Sequence, residues 1–64
     1  MDGTVRKNIY PGRVVYIVKK EDQKTGKATQ GIVQDILTSK AVHPRGIKVR
    51  LDTGDIGRVQ YIME

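Results

Sequence analysis

Apolar residues in this chain recur at every second position in short runs, and no segment keeps a helical spacing for more than a turn or so. The clearest run is Ile47 to Leu51. Ile47, Val49 and Leu51 fall on one face, and Lys48 and Arg50 fall on the other. One strand therefore sends aliphatic side chains inward and two cations outward. Ahead of it lies a loop, Thr38 to Gly46, in which Pro44 biases His43 toward an extended conformation and Gly46 supplies a permissive backbone.

Taken in order, residues 1–8 are polar and are expected to form a flexible N-terminal arm carrying Arg6 and Lys7. Pro11-Gly12 signals a turn after Ile9 and Tyr10. Arg13 to Lys19 predicts the first strand, rich in Val, Ile and Tyr, with both alternating sets apolar so that its inward face stays ambiguous. Lys20 to Ala28 is a polar connection with Thr25-Gly26 at its tip. Lys20, Lys24 and Lys27 make it either a basic finger or a plain solvated loop.

Thr29 to Leu37 predicts the second strand. Gly31 there suggests a bulge, a bend or a close backbone approach, and the three-residue offset of Val33 and Ile36 suggests a bulge near Asp35. Asp52 to Asp55 predicts a tight turn with Gly54 left-handed, and Ile56 to Gln60 a return strand. Gly57 marks a bend in that strand, and Ile62 is expected in the core. Four to five short antiparallel strands with glycine at the corners predict an all-β fold curled into a small, strongly bent barrel. Curling hides the apolar face that an open sheet would expose. Residues 9–64 are expected to form this single domain.

Two resemblances refine the picture. Gly12, Val15, Ile17, Val18, Gly31, Val33 and Ile36 are spaced as in a KOW-type motif of SH3-like barrels, as found in ribosomal proteins and transcription elongation factors. That resemblance implies an SH3-like barrel with Val15 and Ile17 inward and Val14 and Tyr16 outward. The connection between the two strands is longer here than in a compact motif of that kind.

Over nearly the whole chain the sequence resembles the YwbE-like family of small uncharacterised proteins. The matching residues are Pro11-Gly12, Ile17-Val18, Asp22-Gln23, Thr25-Gly26-Lys27, Gly31-Ile32-Val33 and Asp35-Ile36-Leu37-Thr38. They continue through His43-Pro44, Gly46 to Leu51, and Gly57-Arg58-Val59-Gln60. The family implies a small SH3-like barrel and no established activity.

Composition narrows the chemistry. Sixty-four residues make one small domain, too short for a second domain or for a cleft walled on all sides. With no cysteine and one histidine, neither a disulfide framework nor a thiolate or histidine-built metal site is expected. Asp52 and Asp55 lack the ordered spacing of a calcium loop. Thr25-Gly26-Lys27 lacks the glycines and following helix of a phosphate loop. Ser39, His43 and Asp35 or Asp52 can be drawn as a triad, but such triads are recognised by geometry, so no catalytic residue is assigned and no enzyme is expected. No cofactor and no small-molecule substrate are expected either. The N-terminus lacks the apolar run of a signal peptide, and nothing approaches the roughly 18 apolar residues that span a bilayer, so a cytoplasmic protein with no membrane partner is expected.

Charge then selects among partners. Twelve Lys and Arg against seven Asp and Glu give +5, a balance that favours polyanions. The distribution matters more, because no acid lies between Asp35 and Asp52. Lys40, His43, Arg45, Lys48, Arg50 and Arg58 form the candidate nucleic-acid surface, with Lys20, Lys24 and Lys27 as secondary contacts. Only Tyr10, Tyr16 and Tyr61 are aromatic, too few for a single-strand stacking platform, so structured RNA or a ribonucleoprotein is the expected partner. The alternative is a protein-interaction module that uses Val14 and Tyr16, if outward, as an apolar patch beside the edge of the first strand.

Overall fold

The computed structural model describes residues 1–63. Four strands, β1 (Val14–Lys19), β2 (Thr29–Ile36), β3 (Lys48–Leu51) and β4 (Ile56–Ile62), pair antiparallel in the order β1-β2-β3-β4. β4 then pairs back onto β1, which closes the barrel. Among the described residues, helical structure is limited to single 3-10 turns at Arg6–Asn8 and Lys20–Asp22.

Alternation decides what the barrel encloses. Ile47, Val49 and Leu51 are fully buried, as their spacing requires. Val15 and Ile17 are the inward residues of β1, so Val14 and Tyr16 point outward, each half-buried. Ile9, Val33, Val59 and Ile62 complete a core that, among the described residues, has no buried polar side chain, and Ile36 packs against it.

Two irregularities bend this wall. In β2, Val33 faces Leu51 and Asp35 faces Arg50, which leaves Gln34 as an extra residue close to the expected position. In β4, Val59 faces Ile17 and Tyr61 faces Tyr16, which leaves Gln60 extra. This second bulge lets β4 run on to Ile62 instead of stopping at Gln60. Gly31 is a site of close approach, since a Cβ there would run into the Leu51 side chain.

The N-terminal segment departs from the expected free arm. The Ile47 amide donates to the Gly3 carbonyl at 2.9 Å, the His43 amide to Thr4 at 2.9 Å and the Arg6 amide to Ala41 at 2.8 Å. Met1 and Ile62 exchange backbone hydrogen bonds, and Gly3 is buried. The cause is the loop before β3, which has no strand partner of its own and takes residues 3–6 as one. The apolar strand-edge reading of Val14 and Tyr16 also changes. Barrel closure pairs β1 on both sides, so it has no free edge to offer a partner strand. Among the described residues, no helix is long and apolar enough to cross a membrane.

Candidate nucleic-acid interface

The outward residues of β3 and β4 meet in one row. Register places Lys48 directly opposite Arg58, and Arg58 opposite Val18 of β1. Two cations thus face each other across paired strands, an arrangement that costs stability unless an anion relieves it. Neither is in an ion pair among the described residues. Among the described residues, the Arg58 guanidinium is held by one hydrogen bond, Nη1 to the Gly46 carbonyl at 3.1 Å, and its remaining donors are unspent.

The loop before β3 adds the rest. A turn closes from the Gly46 amide to the His43 carbonyl at 3.0 Å, with Pro44 and Arg45 at its tip. Gly46 has φ +100°, and a Cβ there would run into the Val59 carbonyl oxygen, so only glycine lets the loop lie this close under β4. The Gln60 side chain donates to the Arg45 carbonyl at 3.4 Å, and the Arg45 amide donates to His43 Nδ1 at 3.2 Å. Nδ1 is therefore the acceptor, and Nε2 carries the proton of the neutral ring. Partial burial, and then the positive charges of Arg58, Lys40 and Arg45, hold His43 below the ordinary 6.5. That electrostatic coupling places His43, Lys40, Arg45 and Arg58 in one positive neighbourhood.

Two grooves flank Arg58. One, of about 360 Å³, is lined by Val18, Gln23, Gly26, Arg45, Arg58 and Gln60. The other, of about 450 Å³, shares Val18, Gln23 and Arg58 and adds Lys20, Glu21, Lys48, Ile56 and Gly57. The polar connection between β1 and β2 forms their outer wall, because its 3-10 turn and a bond from the Gly26 amide to the Asp22 carbonyl (2.8 Å) fold it back along β4.

The predicted residues therefore divide. Lys48 and Arg58 are neighbours, Arg45 and Lys20 share a groove with Arg58, and Lys40 and His43 lie within electrostatic range. Arg50 stands apart, with its Nη1 3.0 Å from Asp35 Oδ2 across the β2–β3 ladder. Sequence distance from Asp35 concealed this pairing, which strand register creates. Lys24 and Lys27 are exposed in the connection and line neither groove. Gln23, Gln60 and Val18 were not foreseen; the only sequence signal was a glutamine two positions after Arg58 on an outward-facing strand.

His43 Nδ1 accepts from a backbone amide, and Asp35 is engaged by Arg50 rather than by His43. Among the described residues, no group of three or more His, Asp or Glu is placed to hold a metal ion.

Further along the outer face of β1, Val14 faces Ile32 and Tyr16 faces Tyr61, with the two tyrosine rings 6.4 Å apart and tilted by 48°. The Met63 amide donates to the Val14 carbonyl at 3.0 Å. Ile32, Tyr61 and Met63 are 42%, 47% and 39% exposed, so the outer face of β1 is the middle of an apolar surface.

Comparison with known proteins adds the following. The family model described as an uncharacterized conserved protein (DUF2196) matches residues 2–62. The uncharacterized protein YwbE of Bacillus subtilis (strain 168) is 57% identical over 63 residues, spanning 98% of this chain and 97% of that protein. No solved structure matches the chain.

Proposed function

The chain belongs to the uncharacterized conserved protein family DUF2196, and from that premise we propose that it is a cytoplasmic, non-enzymatic binding module for structured RNA or a ribonucleoprotein. The observation that carries this reading is the Lys48–Arg58 pair, two unneutralised cations directly opposed across β3 and β4. A folded domain gains nothing from such a pair by itself. A phosphodiester lying along the row turns the repulsion into two attractions. Arg45, Lys40 and Lys20 extend the positive field, and the Arg58 and Arg45 guanidiniums suit forked phosphate contacts. The KOW-like reading of the first half is supported by the inward Val15, Ile17 and Val33.

The test is fluorescence anisotropy with an RNA hairpin, a DNA duplex and a single strand at about 50 and about 200 mM salt. The expected result is preference for the hairpin, with a log–log salt slope of about −3 to −3.6 for about four phosphate contacts. Absence of binding at low salt would sink the proposal.

A protein-interaction module is the second reading, favoured by the exposed Ile32, Tyr61 and Met63 around Val14 and Tyr16. Loss of a partner in the Val14→Asp, Tyr16→Asp double variant, with RNA binding absent in the wild type, would promote it.

A further inference from the structure

We infer that the groove between Arg45, Arg58 and the β1–β2 connection seats a single unpaired nucleobase of structured RNA, with its flanking phosphates on the two arginines. The inference rests on the RNA-binding reading and gives that site a substrate class. A nucleobase has flat apolar faces and a polar edge, and the groove matches both. Val18, half-buried on the outer face of β1, offers a branched aliphatic surface for a ring face. Gln23 and Gln60 offer the edge chemistry, since each primary amide presents a carbonyl acceptor and an NH2 donor.

Neither amide is exhausted. Gln60 Nε2 donates to the Arg45 carbonyl, which orients the group and leaves Oε1 and the second N–H available. The Gln23 side chain makes no hydrogen bond among the described residues. Gly26, with φ +71° and open space around it, lets the wall of the connection stand close without a side chain in the way. The volume, about 360 Å³, lies at the small end of the range for small-molecule sites, which suits one nucleotide and not a run of them.

The neighbouring groove is the weaker seat. It contains Glu21 among its cations, whereas the Arg45 side contains two guanidiniums and no acid. An anionic backbone is thereby steered to the Arg45 side, with Lys48 and Lys20 left for the adjoining duplex. Neither groove has an aromatic ring in its lining, so consecutive stacked bases find no platform. A bulged nucleotide flanked by paired helix satisfies all of these features at once.

The experiment compares two RNA hairpins, one with a single 2-aminopurine bulge and one with the bulge deleted, by anisotropy and by 2-aminopurine emission. The wild-type protein is expected to bind the bulged hairpin at least about fivefold more tightly and to raise the emission as the base leaves the stack. The Gln23→Ala, Gln60→Ala double variant is expected to bring the two hairpins within about twofold of each other. Both glutamines are exposed, and an unchanged thermal midpoint verifies the fold. Equal, salt-sensitive binding of both hairpins with no emission change would overturn the inference and leave the RNA reading standing. A bulge preference that survives in the double variant would also overturn it. No binding of either hairpin would remove the RNA reading and this inference with it.

Discussion

The two outer faces of this barrel wall share β4 and differ in almost everything else. Around Arg58, β4 and β3 oppose cation to cation; around Tyr61, β4 and β1 oppose aromatic to aromatic. Arg58 and Tyr61 are only three positions apart. The division is made by the extra residue Gln60, which places Gln60 and Tyr61 both outward before Ile62 returns to the core. Without the bulge, strict alternation would carry Tyr61 inward and Ile62 out. Segregation of charge in this molecule is thus a consequence of register. One face gains like charges that need an anion, and the other gains apolar area that needs cover.

The most damaging way to break the comparison is at the glycine that aims the basic loop. Gly46→Ala places a Cβ against the Val59 carbonyl oxygen at a positive φ, at a cost of about 2–3 kcal/mol. For a domain of this size the thermal midpoint falls by about 10 °C or more. Gly54→Ala is the control, because its φ is +94° but nothing lies near the added Cβ, so the cost is the left-handed conformation alone, about 1–2 kcal/mol. Equal midpoints for the two variants, measured by circular dichroism, would show that the loop does not lie against β4 as described.

Next in size is the charge reversal Lys48→Glu with Arg58→Glu. RNA affinity is expected to fall at least about tenfold, or about 1.4 kcal/mol, while the thermal midpoint falls by about 4–8 °C, because both side chains point outward and the bond lost from Arg58 to the Gly46 carbonyl costs about 1 kcal/mol. Val14→Asp with Tyr16→Asp is expected to leave RNA affinity within about twofold. Equal loss of RNA binding in both double variants would mean that the two faces do not act separately. A smaller effect tests the edge of the basic face. Arg50→Gln removes an exposed ion pair with Asp35, worth about 0.2–1 kcal/mol, and is expected to change RNA affinity by less than about twofold. A tenfold loss there would place Arg50 in the interface after all.

That edge also shows where the sequence is legible and where it stops. Alternation over Ile47 to Leu51 is enough to assign core and surface in β3, because a period of two has a single physical solution when one set is apolar. In β1 both sets are apolar, and periodicity alone is silent; the resemblance to a KOW motif supplies Val15 and Ile17 as the inward pair. Glycine identity at 31 and 46 signals close approach but not to what, and Leu51 and Val59 emerge only with the fold. Arg50 looked free because its acid lies far away in sequence, and pairing across strands is a tertiary fact. The docking of residues 1–6 was illegible for the same reason, since a polar segment reads as solvated until an unpaired loop backbone is set beside it.

The smallest expected effect concerns proton linkage at His43 and sharpens what the basic face is for. Burial of the ring and the charges of Arg58, Lys40 and Arg45 hold its pKa below the ordinary 6.5 in the free protein. Between 6.5 and that lowered value, the unfolded chain binds more proton than the folded one. Stability is therefore full above pH 6.5 and declines as pH falls through the window. A bound phosphate reverses the local charge and favours the imidazolium, so RNA binding is expected to take up a fraction of a proton. Affinity then strengthens by a few-fold as pH falls from about 7.5 to about 5.5. Dissociation constants across that range in the wild type and in His43→Gln provide the measurement, with the slope expected to disappear in the variant. A slope of the same size in both would move the titrating group onto the RNA, and a flat wild-type profile would take His43 out of contact with phosphate. A pH dependence that disappears in His43→Gln belongs to the cationic side of the wall.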